Sequence, residues 1–158
     1  MITEIIPNLF IGAWPDQNLF GGAVLNVLEQ PPEREHSLWV PILDPKNFVD
    51  LSGMAKAGVP LDDQHFVPRR EWMAGDEAHV NIEALLLCRG IITLFQRQRR
   101  RLLVHCGAGI ERSPLTVAFW MVHSMYLTRD FDEAYAFLQS KRPIVMDRRA
   151  WLPQEWQF

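Results

Sequence analysis

The ten residues from His105 to Pro114, His-Cys-Gly-Ala-Gly-Ile-Glu-Arg-Ser-Pro, leave this chain few ways to fold locally. A short apolar run, Leu102-Leu103-Val104, precedes them, and a long apolar-periodic stretch from Leu115 to Leu127 follows. The pattern predicts a strand, a tight glycine-containing loop and a helix. A cysteine at the strand end and an arginine six positions on, just where the helix begins, make an anion trap around a nucleophile. Backbone N–H groups from Gly107, Ala108, Gly109, Ile110, Glu111 and Arg112 would converge on a tetrahedral oxyanion, with about +0.5 charge from the helix N-terminus behind them. The same field favours Cys106 as a thiolate. A free cysteine has a pKa of about 8.5, and sites of this kind bring it to roughly 3.5–7.5.

Each residue type in the loop has a chemical reason to be there. The planar fork of Arg112 grips two oxygens at once, which a lysine cannot do. Gly107 and Gly109 place no Cβ over the amides and tolerate positive φ. The hydroxyl of Ser113 stands where it could reach the sulfur and help a thiolate depart. His105 is expected to hold the loop through hydrogen bonds rather than act as a base. The other reading of Cys106, a small buried apolar residue, does not account for Arg112 and the glycines beside it.

This segment resembles the signature of the cysteine-dependent protein tyrosine phosphatase superfamily, His-Cys-x-x-Gly-x-x-Arg-Ser/Thr, with His105, Cys106, Gly109, Arg112 and Ser113 in the fixed positions. The resemblance runs further. Glu4-Ile5-Ile6-Pro7-Asn8-Leu9-Phe10-Ile11-Gly12 is similar to the first hairpin of dual-specificity phosphatases, and Val24-Leu25-Asn26-Val27-Leu28 to their next buried strand. The stretch from Glu133-Ala134 to Lys141-Arg142-Pro143 resembles the closing helix of that small domain. The larger tyrosine-specific domains carry an added phosphotyrosine-recognition loop, for which Lys46-Asn47-Phe48 is too slight a match.

The resemblance implies hydrolysis of phosphomonoesters, phosphotyrosine and also phosphoserine or phosphothreonine of proteins, through a cysteinyl-phosphate, with no cofactor and no metal. It also implies a general acid, an aspartate on a separate loop some thirty residues before the cysteine and just ahead of a helix. Asp76 has that spacing and immediately precedes a helical pattern from Glu77 to Gln98. Aspartate is also a favoured N-cap on its own account. Asp62 and Asp63, more than forty residues upstream of Cys106, are the second choice. Two other readings remain: a phosphate-binding module without turnover, and a sulfur- or arsenic-handling enzyme on a similar Cys-x5-Arg loop. Gly109 and Ser113 favour the phosphatase.

Within the loop, Gly107, Ala108, Ile110 and Glu111 offer no cation for a second phosphate, and Glu111 would repel one. A phosphoprotein or a small monophosphate is therefore the expected substrate. A net charge of −3 argues against a nucleic-acid or anionic membrane partner. The basic cluster Arg97, Arg99, Arg100 and Arg101 reads as a helix C-terminus complementing its dipole.

With 158 residues, 48% of them hydrophobic, the chain is long enough for one domain over its whole length, and a monomer is expected. Two cysteines make no disulfide scaffold, and a thiolate nucleophile needs a reducing compartment. With neither a signal peptide nor an apolar run of spanning length in view, a cytoplasmic location is expected. Cys88, on the apolar face of a helix, reads as core packing, with a redox partnership as the lesser alternative.

Strands are expected at Glu4–Ile6, Leu9–Ile11, Ala23–Leu28, Leu38–Leu43 and Leu102–His105, with another at Gln64–Val67. Helices are expected at Phe48–Ala57, Glu77–Gln98, Ser113–Leu127 and Asp130–Arg142, with a short one from Arg149 to Trp156. Asp130 and Glu133 have capping-box spacing. The alternation predicts an α/β fold with a central, mostly parallel mixed sheet flanked by helices, of the dual-specificity phosphatase kind.

Overall fold

The computed structural model describes residues 1–45, 75–76, 78–124 and 127–158. Five strands, β1 (Thr3–Ile6), β2 (Leu9–Gly12), β3 (Ala23–Asn26), β4 (Leu38–Trp39) and β5 (Leu102–His105), form one sheet in the order β1-β2-β5-β3-β4. Only the β1–β2 pair is antiparallel; β2–β5, β5–β3 and β3–β4 are parallel. The hairpin turns on Pro7 and Asn8, where Asn8 takes a φ of 71°, a left-handed conformation that asparagine tolerates well.

Strand β5 is central, and all four of its residues are buried. Side chains alternate across a strand. Leu102 and Val104 therefore join Leu9, Ile11 and Leu25 in the main core, while Leu103 faces the other way with Val24 and Phe20. Three helices, α1 (Ile82–Arg97), α2 (Arg112–His123) and α3 (Phe131–Lys141), contribute to the main core. The smaller cluster is completed by Ile2 and Phe10.

Several boundaries differ from expectation. Helix α1 starts at Ile82, and its N-cap is Asn81, whose side chain accepts from the Glu83 N–H at 2.8 Å; neither Asp76 nor Glu77 begins it. Strand β4 spans only Leu38–Trp39, not Leu38 to Leu43, although the Val40 and Ile42 N–H groups still donate to the Asn26 and Val27 carbonyls at 3.0 and 2.9 Å. Helix α2 ends at His123, short of Leu127. The stretch from Arg149 to Trp156 forms two short 3-10 turns, Arg149–Trp151 and Gln154–Trp156, separated by Pro153. Asp130 does cap α3, accepting from the Glu133 N–H at 2.9 Å. Glu133 bonds Arg129 rather than returning to the cap, so half of the capping box forms. The expected helix at Phe48–Ala57 and strand at Gln64–Val67 lie outside the described residues. No helix among the described residues is long and apolar enough to cross a membrane.

Helix α1 closes with a turn in which the Arg99 N–H meets the Gln96 carbonyl and the Arg100 N–H the Phe95 carbonyl, with Arg99 at φ 54°. Arg100 then lies over the Phe95 ring, and Arg101 over Phe10 and Phe20. The arginine cluster thus occupies the N-terminal end of β5, opposite the loop that follows Cys106.

Candidate active site

The loop from Cys106 to Glu111 leaves β5 and enters α2 at Arg112. Donors outside the loop hold its carbonyl groups. The Trp14 N–H donates to the Gly107 carbonyl at 2.8 Å, and the Met146 N–H to that of Ile110 at 2.9 Å. Between them, Arg142 reaches the Ala108 and Gly109 carbonyls from Nη2 and Nε at 3.1 and 2.9 Å. With carbonyls drawn outward, the N–H groups of Gly109, Arg112 and Ser113 serve the sulfur of Cys106. This is an anion nest built by its surroundings.

Gly109 is the residue this geometry requires. Its φ is 69°, and a Cβ there would lie 2.7 Å from both the Gly12 carbonyl oxygen and Nη2 of Arg142. Gly107 is different: a Cβ there would meet open space, and its φ is not in the left-handed region. The expectation that both glycines are needed therefore holds only for Gly109.

Cys106 is 4% exposed. Burial by itself would push its thiol pKa up. The Ser113 hydroxyl, 3.3 Å from the sulfur, and the N–H groups of Ser113, Gly109 and Arg112 outweigh burial and hold the pKa below the ordinary thiol value. Glu111 occupies the N-cap of α2 but makes no side-chain cap hydrogen bond. Its carboxylate instead pairs with Nη2 of Arg148 at 3.1 Å, which leaves the helix N-terminus facing the pocket. The charge that would repel a second phosphate is thus partly offset by a cation absent from the local sequence pattern.

His105 is fully buried, with Nδ1 3.2 Å from the Cys106 carbonyl and its ring edge-on to Trp14 at 5.9 Å. Burial lowers its pKa, and it stands as a neutral ring against the loop backbone. The pocket, about 180 Å³, is lined by Leu28, Cys106, Gly107, Ala108, Ile110, Glu111 and Arg112. Arg112 lies in its wall with Nη1 paired to Oε2 of Glu29. No cluster of metal-ligating side chains occurs among the described residues.

Asp76 is exposed, and its Oδ1 accepts from the N–H groups of Ala78 and His79 at 2.8 and 2.7 Å. Those bonds hold its carboxyl below the usual carboxylate range, with His79 adding a smaller effect. Asp62 and Asp63 lie outside the described residues. Cys88 is wholly buried on α1, and burial pushes its thiol far up, so it stays protonated as a core side chain does.

Sequence reasoning missed Arg142, Arg148 and Glu29. Each meets the loop from a remote position, 33, 37 and 83 residues away for the pairs named above, and no local pattern marks such pairs. An arginine before proline, Arg142-Pro143, was visible in the closing helix, but nothing linear directs its side chain to the loop.

Known proteins share the fold and the family of this chain. Residues 22–155 match the model of the dual specificity phosphatase catalytic domain. The chain belongs to that family. It is 25% identical to human dual specificity protein phosphatase 2 over 99% of its own length and 43% of that protein. To human dual specificity protein phosphatase 4 it is 31% identical, over 63% of this chain and 22% of that one. The chain therefore spans less than half the length of these curated relatives. The crystal structure of human tyrosine phosphatase-like serine/threonine/tyrosine-interacting protein superposes with a TM-score of 0.62 at 18% identity, over 96% of this chain and 90% of that one. Human DUSP28 gives 0.60 at 17%, over 95% and 86%. Both similarities concern the fold, and they agree with the mixed α/β architecture.

Proposed function

We propose that this domain hydrolyses phosphomonoesters, phosphotyrosine and also phosphoserine or phosphothreonine of proteins, through a cysteinyl-phosphate. The observation that carries the reading is the Cys106 sulfur at a helix N-terminus, 3.3 Å from the Ser113 hydroxyl and served by three backbone N–H groups that hold its pKa below the ordinary thiol value. The thiolate attacks phosphorus in line; the P–O bond to the leaving group breaks as a general acid delivers a proton to that oxygen. Water then attacks the cysteinyl-phosphate and gives a proton to the carboxylate left by the general acid, the S–P bond breaks to return the Cys106 thiolate, and inorganic phosphate leaves. In that second step the Ser113 hydroxyl stabilises the departing sulfur. Arg112 and the loop amides hold the non-bridging oxygens throughout, so the rate comes from preorganised electrostatics and positioning.

The sequence assigns the acid to Asp76, with Asp62 and Asp63 as alternatives. The hydrogen bonds to Asp76 favour its ionised form, which suits a base in the second step better than an acid in the first. Substrates are proteins, in keeping with the family, or small monophosphates; the domain acts as a monomer in the cytoplasm.

Hydrolysis of an aryl phosphate by wild type and Cys106→Ser tests the reading. Wild type should turn over, and the serine variant should lose turnover yet still bind tungstate, because the amides are untouched. More than a few per cent residual activity in the serine variant, or an inert wild type, would overturn it.

A further inference from the structure

Glu29 pairs with the arginine that grips the phosphoryl group, and its own segment is unusually well anchored. It follows Leu28, a wall of the pocket, in the turn that leaves β3. Buried Asn26 ties that turn at both ends. Its Oδ1 accepts from the Leu28 N–H at 2.8 Å, and its Nδ2 donates to the Gln30 carbonyl at 2.9 Å. The indole of Trp39 donates to the Leu28 carbonyl at 2.8 Å, and the Val27 N–H to the His105 carbonyl at 3.0 Å. The backbone on either side of Glu29 is therefore fixed to β4 and to the end of β5.

The contact itself is specific. Oε2 of Glu29 engages Nη1 of Arg112, with the two side chains only 25% and 12% exposed. A guanidinium has five N–H donors in a rigid plane. Taking the donor on Nη1 leaves the edge formed by Nε–H and Nη2–H, and that edge is a two-pronged fork for two oxygens of a phosphate. An arginine side chain has several rotatable bonds, and a two-pronged contact depends on how its plane is held.

We propose that Glu29 is a positioning residue: it holds the Arg112 guanidinium so that the Nε–Nη2 edge faces the phosphoryl group. The inference rests on the phosphate-binding reading of this loop. Glu29 touches neither the nucleophile nor the leaving group, and it acts through Arg112. A repulsive carboxylate near a phosphate dianion is tolerable here because the arginine neutralises it. The ion pair leaves the pocket with the helix N-terminus and the loop amides as its net attraction.

The test is a double-mutant cycle of Glu29→Gln with Arg112→Lys, read as tungstate affinity by titration calorimetry and as kcat/KM for an aryl phosphate. Glutamine keeps the shape and removes the charge. Glu29→Gln alone should lower tungstate affinity and kcat/KM by about tenfold or more, with the melting temperature unchanged. In the Arg112→Lys background, where no fork remains to be oriented, the same change should matter less than about twofold. Three results would each overturn the proposal: a single variant within twofold of wild type, a gain in affinity, or an equal loss in both backgrounds. If wild type fails to hydrolyse aryl phosphate, the proposed activity falls, while the tungstate cycle still decides the role of Glu29.

Discussion

Replacing Gly109 by alanine tests whether the catalytic loop is shaped by close backbone approach. Two costs add. A residue with a Cβ in the left-handed region loses roughly 1–2 kcal/mol. Overpacking against a contact that cannot yield costs about 1–3 kcal/mol more. Here the new methyl would lie 2.7 Å from the Gly12 carbonyl oxygen, which is backbone of β2, and 2.7 Å from an Arg142 nitrogen that itself holds the loop. The middle of the combined range is about 3.5 kcal/mol, which in a domain of this size is a fall of about 7–14 °C in Tm. Moving Arg142 would also release the Ala108 and Gly109 carbonyls, so tungstate affinity should fall with stability. Gly107→Ala is the control. Its Cβ meets open space at an ordinary φ, so Tm should stay within about 2 °C of wild type. Differential scanning calorimetry and tungstate titration of both variants check this. Equal, small effects from the two substitutions would refute the argument, because the loop would then not depend on its approach to β2.

The two other predictions concern protonation. Iodoacetate alkylation of Cys106 should reach half its maximal rate below the ordinary thiol pKa, because the thiolate fraction falls only as pH drops through the depressed folded value. Ser113→Ala removes one hydrogen bond to the sulfur and should move that midpoint upward, while Cys88 stays unmodified in the native protein. An unshifted midpoint would mean the hydroxyl does not serve the sulfur. Asp76→Asn keeps an oxygen for the Ala78 and His79 N–H groups, and Asn81 is the cap of α1, so stability should hardly change. If Asp76 is the acid, the variant should slow phenyl phosphate by about 10²-fold, slow a nitroaryl phosphate much less, and lose the high-pH limb of kcat/KM. An unchanged pH profile, with Asp62→Asn or Asp63→Asn altering it, would assign the acid to the earlier segment.

Where reading along the chain succeeded, the physics was short-ranged. An apolar strand, a glycine that must take positive φ and a helix start lie within about ten residues of one another, so Cys106, Gly109, Arg112 and Ser113 announce their arrangement together. The cap of α3 by Asp130 is local in the same way. Where it erred, a local signal had two claimants. Asp76 and Asn81 are both good N-caps, and only the packing of Val80, Ala84 and Leu85 in the core decides that the helix begins at the later one.

By itself the sequence determined the strand–loop–helix around the nucleophile, the α/β alternation and the family, because dihedral preferences and hydrophobic periodicity act between near neighbours. The tertiary structure alone decided which groups surround that loop. Arg142 and Met146 hold its carbonyls, Arg148 offsets Glu111, and Glu29 pairs with Arg112. These partners come from distant parts of the chain, and their meeting depends on sheet order and helix packing. No spacing rule records that geometry, because an ion pair needs only two charges brought within a few ångströms.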